Sequence, residues 1–216
     1  MKFHLINREK WDRKPYFEHY LLQKCTFSMT ANIDITLLLE QLRKQRIKLY
    51  PTFIYMITRV VHDHLEFRTC FDDQGCLGYW DQMTPSYTIF HSESKTFSSL
   101  WTEFSDEFRV FYQNYQADIK HYGHVPSFFP KENTPKNVFP ISSIPWVSFT
   151  GFNLHVNEDH NYLLPIFTGG KYFDQGGKVW LPVSLQVHHA VCDGYHASAF
   201  FEELQQMVDR CDNWLT

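Results

Sequence analysis

Residues 181–196 read LPVSLQVHHAVCDGYH and contain the clearest local pattern in the chain. Apolar and polar residues alternate through its first half, which is the period of a β-strand with one buried face. The apolar positions are Leu181, Val183, Leu185 and Val187. His189 takes the next position on the apolar face, so we expect its imidazole at the end of a core strand. Asp193 and Gly194 then break the strand, and Asp193 stands where an N-cap would precede the amphipathic run 196–208.

An imidazole at the end of a core strand suits acid–base chemistry. Histidine titrates near neutrality and can take a proton from a hydroxyl or a thiol, and burial favours its neutral, basic form. Two other interpretations stay open: a buried histidine that is simply hydrogen-bonded, and a metal site built from His188, His189 and His196. Neighbouring strand residues point to opposite faces, so one ion cannot easily bind His188 and His189 together, and we expect no metal.

The composition predicts a single soluble domain, residues 1–216, with a large core. A formal net charge of −4 gives no reason to expect nucleic-acid or membrane binding. Aromatic residues make up 18% of the chain, which favours aromatic-lined pockets. Five cysteines without a CxxC pair indicate a reducing compartment. Residues 1–10 carry no apolar signal core and no run approaches a membrane span, so we expect a cytoplasmic protein.

Helix and strand signals are mixed along the chain without strict βαβ alternation. We expect a short helix within 7–22 with Asp12 as cap and Pro15 in its first turn, and helices at 35–46 with Asp34 as cap, 52–64, 107–121 and 196–208. We expect strands at 24–33, 85–91, 149–156, 162–173 and 178–189, a hairpin over 67–80, and a surface loop over 123–140. This order favours an α/β (α+β) fold in which a mixed, largely antiparallel β-sheet is covered by helices.

The run from His188 to Gly194 reads HHAVCDG and fits the pattern HHxxxDG. That pattern resembles the signature of acyltransferases that use a thioester of coenzyme A or of a pantetheine arm. These are the chloramphenicol acetyltransferases, the cores of dihydrolipoyl acyltransferases and the condensation domains of peptide synthetases. Further segments resemble the trimeric chloramphenicol acetyltransferases, in order and over essentially the whole chain: residues 11–20, 33–36, 50–51, 67–69, 140–146, 152–154 and 186–196. The resemblance implies a CoA-dependent acyltransferase-like two-layer sandwich.

The resemblance also implies direct acetyl transfer from acetyl-CoA to a hydroxyl of chloramphenicol, which inactivates the antibiotic. His189 corresponds to the general base, and a hydrogen bond from its other ring nitrogen to a backbone carbonyl would fix the tautomer. Ser142 corresponds to the donor that stabilises the negative oxygen of the tetrahedral intermediate, with Ser143 as the competing assignment. Asp193 corresponds to a structural aspartate paired with Arg13 rather than to a triad acid.

Residues around the substrates are assigned by the same resemblance. An acceptor pocket with an aromatic and apolar lining would use Tyr20, Phe27, Phe97, Leu154, Val156, Ile166 and Tyr172. Thr168 corresponds to a threonine that can hold a water near the reaction centre, and Tyr50 and Trp146 correspond to contacts of coenzyme A. The Gly169–Gly170 pair departs from the family, which usually keeps at most one glycine there, and leaves the strand geometry around Thr168 open.

The family is trimeric, with the histidine of one subunit facing a pocket built largely by the next. The resemblance therefore implies a homotrimer whose partners are the drug and acetyl-CoA. Two alternatives remain. One is a CoA-dependent O-acetyltransferase of the same fold that acts on another hydroxyl compound. The other is a non-catalytic assembly protein on the same scaffold, against which stand the intact His189, Asp193 and Ser142.

Overall fold

The computed structural model describes residues 1–156 and 162–215. The helices in these ranges are α1 (Lys14–Leu22), α2 (Thr36–Gln45), α3 (Leu49–Asp63), α4 (Phe108–Tyr122) and α5 (Gly194–Asp209). The strands are β1 (Phe3–Leu5), β2 (Thr26–Asp34), β3 (Thr69–Phe71), β4 (Leu77–Trp80), β5 (Thr84–His91), β6 (Thr96–Trp101), β7 (Val138–Ile144), β8 (Ile166–Gly170), β9 (Phe173–Gln175) and β10 (Lys178–His188).

A seven-stranded sheet carries most of the chain, in the order β2-β10-β8-β7-β5-β6, with β9 paired to β10. Strand β7 runs parallel to both β5 and β8, and the other neighbours are antiparallel. A separate three-stranded sheet has the order β1-β4-β3 and contains the expected hairpin. The prediction of a mixed, largely antiparallel sheet is confirmed.

Helices pack on one face of the large sheet. Phe167 on β8 packs against Phe200 of α5 with its ring tilted by 37° and the ring centroids 4.9 Å apart. A Cβ built on Gly169, two residues further along the same face, would lie 3.0 Å from the ring of Phe53 on α3. The apolar residues that alternate along the strands therefore meet the apolar stripes of α3 and α5, and this contact forms the main core.

The opposite face of the sheet carries a row of hydroxyl groups. Thr30 on β2, Ser184 on β10, Thr168 on β8 and Ser142 on β7 lie directly opposite one another across four neighbouring strands. Directly paired residues share a face, so these four side chains project to the same side. The strand pairing therefore places Ser142 in a polar row on the side away from the helices.

Both faces of β10 are buried, which corrects the expectation of a strand with one buried face. Residues 181–188 are all buried, including the polar ones. Ser184 donates a hydrogen bond to the carbonyl oxygen of Phe152 at 2.6 Å, and the side-chain oxygen of Gln186 accepts one from the backbone N–H of Leu154 at 2.9 Å. The predicted strand 149–156 is wrong, because this segment has no strand pairing and instead crosses over the polar face of β10.

Several element boundaries differ from the sequence prediction for local reasons. Strand β7 begins inside the predicted loop 123–140, because residues 138–141 pair with β5 and residues 141–144 pair with β8. Helix α1 begins after Arg13 without a side-chain cap, so the Asp12 cap is wrong. The N-cap of α2 is Ile35, so the Asp34 cap is wrong by one residue, although the Asp34 carboxylate accepts from the backbone N–H of Thr36 at 3.2 Å. The Asp193 cap of α5 is confirmed as a capping box with His196.

The two adjacent glycines on β8 leave the strand regular. A Cβ on Gly170 would lie 2.7 Å from Cγ of Pro182 and 2.8 Å from Cε1 of Phe149, so the position has no space for a side chain. Thr168 pairs in register with both Ser184 and Ser142. The departure from the family pattern therefore reflects close packing and does not displace Thr168 from the hydroxyl row.

Candidate active site

His189 lies directly after β10, and its main chain and ring are both held by hydrogen bonds. Its backbone N–H donates to the carbonyl oxygen of Cys25 at 2.8 Å. Its Nδ1 lies 3.1 Å from the carbonyl oxygen of Cys192 and 3.3 Å from a carboxylate oxygen of Asp193. A carbonyl oxygen can only accept, so this contact favours the tautomer with the proton on Nδ1 and leaves Nε2 as the basic nitrogen.

Two aromatic rings fix the plane of the imidazole. The ring of Tyr20 stacks on it with centroids 3.8 Å apart and planes 12° apart. The ring of Phe27 meets it edge-on at 5.2 Å. The side chain of His189 stays 25% exposed, so one edge is open to a ligand. The arrangement is an oriented imidazole at the rim of the core.

Arg13 connects both ends of the turn after β10. Its guanidinium donates two hydrogen bonds to the carboxylate of Asp193, at 2.6 and 2.7 Å. It donates two more to the carbonyl oxygens of Ala190, at 2.8 Å, and His189, at 3.0 Å. The hydrogen bonds from Arg13 lower the pKa of the Asp193 carboxyl below its ordinary value. The expected bidentate pair is present, although Asp193 is 38% exposed and so only half-buried.

The thiol nearest to this turn is not a nucleophile. Cys192 is fully buried, and burial raises the pKa of its thiol well above the ordinary range. A buried thiol with a raised pKa carries little thiolate. The chemistry of this turn therefore depends on the imidazole.

Ser142 lies on β7 in the wall of a cavity of about 750 Å³. Its Oγ is 2.9 Å from Oγ1 of Thr168, and Thr168 is itself buried. Ser143 also touches the cavity but pairs with Gly169, whose face carries the helices. Of the two serines, Ser142 therefore has the hydroxyl in the polar row, where it can donate to a developing negative charge.

Five of the residues expected around the substrates line the same cavity as Ser142: Tyr50, Phe97, Trp146, Leu154 and Ile166. The Tyr50 hydroxyl donates to the carbonyl oxygen of Thr88 at 3.1 Å, and burial raises its pKa to about 12. It is therefore neutral near pH 7 and contributes an apolar face. Sequence reasoning missed Phe90 and Phe128, which also line the cavity. The exposed Phe128–Phe129 pair inside a polar loop was the available signal.

One chain does not bring the imidazole and the serine together. His189 lies five residues beyond Ser184, and Ser142 lies two strands across from Ser184. At about 3.3 Å per residue and about 4.8 Å per strand, the two residues are roughly 20 Å apart. Tyr20, Phe27 and Asp193 belong to the imidazole group, and the cavity of the same chain includes none of them. The expected residues Val156 and Tyr172 are exposed and belong to neither group.

The structure supplies no metal centre within residues 1–156 and 162–215, since it contains no cluster of three or more His, Cys, Asp or Glu side chains with suitable geometry. His188 uses its Nδ1 to accept a hydrogen bond from the backbone N–H of Ala190 at 3.1 Å.

Among the described helices, none combines the length and apolar character needed to cross a bilayer.

Comparison with known proteins supports the resemblance read from the sequence. The chloramphenicol acetyltransferase of Clostridium butyricum is 59% identical over 216 residues, covering 100% of this chain and 99% of the relative. That of Staphylococcus aureus is 48% identical over 215 residues, covering 100% of both.

Solved structures confirm the acyltransferase-type fold. A chloramphenicol acetyltransferase superposes with a TM-score of 0.89 at 20% identity, covering 96% of this chain and 100% of that one. A dihydrolipoamide acetyltransferase of Azotobacter vinelandii gives 0.72 at 16% identity, covering 94% and 88%. The family model of chloramphenicol acetyltransferase matches residues 1–205. The chain belongs to the chloramphenicol acetyltransferase family.

Proposed function

We propose that this protein transfers the acetyl group of acetyl-CoA to a hydroxyl of chloramphenicol and so inactivates the drug. The observation that carries the proposal is the imidazole of His189, oriented by Cys192 and Tyr20 so that Nε2 is the basic nitrogen. The relatives named chloramphenicol acetyltransferase, at 48–59% identity over the full chain, support chloramphenicol as the acceptor.

The reaction proceeds by direct attack in a complex that holds both substrates. Nε2 of His189 takes the proton of the acceptor hydroxyl, and the hydroxyl oxygen forms a bond to the thioester carbon. The resulting negative oxygen accepts a hydrogen bond from Oγ of Ser142. When the carbon–sulfur bond breaks, the leaving thiolate takes the proton from the imidazolium, and the imidazole returns to its neutral form. Proximity supplies much of the rate, so no acyl-enzyme is required.

The separation of His189 and Ser142 within one chain supports a site shared between subunits. A homotrimer in which the imidazole of one subunit faces the Ser142 cavity of the next would close the gap of roughly 20 Å. In that arrangement Tyr20 and Phe27 would complete the acceptor pocket around Phe97, Leu154, Ile166 and Thr168, and Val156 and Tyr172 would border it.

Coenzyme A would bind in the same cavity, where Tyr50 and Trp146 are both lining residues. Their rings suit the methyl and methylene groups of the pantetheine arm. The bidentate Arg13–Asp193 pair acts as the structural support of the turn that carries the base. The protein would work in the cytoplasm, where acetyl-CoA is available, as a single domain over residues 1–216.

The direct test is thiol release from acetyl-CoA, measured with and without chloramphenicol. We expect release that depends on the drug, loss of activity in His189→Ala, and a loss of about 10²-fold or more in Ser142→Ala. His124→Ala, on an exposed loop histidine, and Ser143→Ala are the matched controls and keep their activity. A folded His189→Ala protein with an intact rate overturns the mechanism.

A panel of hydroxyl acceptors tests the substrate. Release with another hydroxyl compound and none with chloramphenicol would assign the protein to an O-acetyltransferase of the same fold with a different acceptor. Failure to bind coenzyme A would instead indicate a non-catalytic role for the scaffold.

A further inference from the structure

The loop between α4 and β7, residues 123–137, forms part of the cavity wall through one phenylalanine. Phe128 lines the cavity and meets Phe97 of β6 edge-on, with centroids 5.6 Å apart. Phe97 is one of the residues expected to contact the acceptor. Both rings are about half exposed in the chain, so neither is held in place by burial alone. The position of Phe128 therefore depends on what fixes the loop.

The front of the loop is tied to β6 by backbone groups. The carbonyl oxygen of Phe128 accepts from the backbone N–H of Ser99 at 2.7 Å. The hydroxyl of Ser98 donates to the carbonyl oxygen of Val125 or Ser127. These bonds set the register of the loop on the strand, but they do not constrain the residues that follow Phe128.

The rear of the loop is fixed by Lys131, three residues beyond Phe128. Its ammonium lies 2.7 Å from a carboxylate oxygen of Asp118, 3.2 Å from the carbonyl oxygen of Trp101 and 3.7 Å from the centroid of the Trp101 ring. The side chains of Lys131 and Asp118 are only 16% and 14% exposed. An ammonium with a carboxylate, a carbonyl and an aromatic face has a partner for each of its donors. A charge pair buried to this extent holds its geometry, because separating the partners leaves an uncompensated charge.

The Lys131–Asp118 pair continues into the wall of the cavity through a chain of hydroxyl groups. Thr102 donates to the second carboxylate oxygen of Asp118 at 2.7 Å. Since Thr102 has one hydroxyl proton, the Tyr87 hydroxyl must donate to it, across 2.6 Å. Tyr87 lies on β5 and lines the cavity. The chain therefore runs in one direction, from Tyr87 through Thr102 and Asp118 to the loop.

Resting on the function proposed above, we propose that Lys131 is a positioning residue for the acceptor. Together with the backbone hydrogen bond from Ser99 to Phe128, its bonds to Asp118 and Trp101 keep Phe128 against Phe97, and Lys131 does not touch the reacting atoms. Removing it frees the rear of the loop and widens the acceptor side of the cavity. Ser142 bonds to Thr168 and Tyr50 bonds to Thr88, so neither of these side chains is held by a hydrogen bond to the loop.

The test compares Lys131→Met with Lys136→Met, the same substitution at an exposed lysine of the same loop that pairs with Asp73. We expect Lys131→Met to raise the KM for chloramphenicol about tenfold, with kcat and the KM for acetyl-CoA changed less than about twofold. Lys136→Met leaves all three unchanged. Hydrogen exchange of the peptide 123–135 should be faster in Lys131→Met than in the wild type and in Lys136→Met.

Two variants keep the test decisive if Lys131→Met leaves Asp118 unpaired and fails to fold. Lys131→Met combined with Asp118→Asn removes both charges and should show the same selective rise in KM. Lys131→Arg keeps the charge and should restore most of the affinity. A folded variant with faster exchange but an unchanged KM for chloramphenicol overturns the positioning role. A loss of kcat together with a similar rise in both KM values overturns it as well. Wild-type protein without acetyl transfer overturns the proposed function instead, so the two failures are distinguishable.

Discussion

The phenol ring of Tyr20 lies flat on the imidazole of His189, with centroids 3.8 Å apart and planes 12° apart. Tyr20 is on α1 and His189 follows β10, so the stack joins two distant parts of the chain. This stack and the contact of Nδ1 with the Cys192 carbonyl oxygen together hold the imidazole in one orientation. A base that must meet a hydroxyl at hydrogen-bond distance works only if its ring is held in this way.

Removing the stacked ring should therefore slow the reaction. We expect Tyr20→Leu to lower kcat/KM by about 10- to 100-fold, because misplacing a catalytic group costs rate. Tyr20→Phe keeps the ring and should stay within about threefold of the wild type. Steady-state kinetics on both variants checks this, with Tyr16→Leu, at an exposed neighbour on α1, as the control. Equal kcat/KM values for Tyr20→Leu and the wild type would show that the stacked ring does not contribute to catalysis.

Mixing two inactive variants tests the shared site. If one subunit supplies His189 and the next supplies Ser142, an interface between a Ser142→Ala subunit and a His189→Ala subunit contains both wild-type groups. Co-refolding equal amounts should restore about a quarter of the wild-type activity in a randomly assembled ring. The measurement is thiol release, before and after denaturation and joint refolding. Each variant refolded alone is the control, and a mixture no more active than these would place the site within one chain.

The Arg13–Asp193 pair gives folding stability a defined dependence on pH. The folded-state pKa of Asp193 lies below its unfolded value, so the folded chain binds this proton less tightly. The stabilisation is therefore complete above the ordinary pKa of about 4 and is lost as the pH falls through the lowered value.

Asp193→Asn should lower the free energy of unfolding at pH 7 by about 1–3 kcal/mol, a range reduced for the partial exposure of the carboxylate. The difference from the wild type should shrink below pH of about 4. Urea unfolding at pH 7 and at a pH near 3 measures both, with Asp174→Asn at an exposed site as the charge-matched control. A difference that is constant with pH would show that the carboxylate charge contributes nothing.

The close packing around Gly170 predicts a site where the smallest addition is harmful. In Gly170→Ala the new methyl group would meet Pro182 and Phe149 at 2.7 and 2.8 Å. We expect a loss of about 1–3 kcal/mol of folding stability, the usual effect of overpacking. Gly151→Ala, where a Cβ meets nothing within 4 Å, is the control. Thermal unfolding of both variants checks the prediction, which an unchanged melting temperature in Gly170→Ala would contradict.

Local signals explain which elements could be predicted from the sequence. The turn after β10 was predictable, because alternation, the strand break and the Asp193 cap all lie within sixteen residues, 181–196. Strand β7 was not, because its first residues belong to a segment rich in proline and polar residues, and Ser142 and Ser143 gain strand partners only on β8. The segment 149–156 alternates like a strand, yet β10 already pairs with β2 and β8 along this stretch and no edge is left for it.

Contacts between residues far apart in the sequence could not be predicted from local patterns. Arg13 and Asp193 are 180 residues apart, and only the resemblance to the family joined them. The distance between His189 and Ser142 follows from strand order and register, which depend on the whole sheet. Lys131 carried no signal, since a lysine in a polar loop is normally solvated and its partners lie on two other elements, Asp118 and Tyr122 on α4 and Trp101 on β6.

The imidazole is held by side chains and carbonyls from residues 13–27 and 188–192, none of which borders the Ser142 cavity of the same chain. In the proposed shared site Tyr20 and Phe27 would serve both the base and the acceptor pocket, whereas Phe97 and Phe128 belong to the cavity wall alone. Substitutions at Phe97 or Phe128 would therefore reshape the acceptor wall without changing a residue that holds the imidazole.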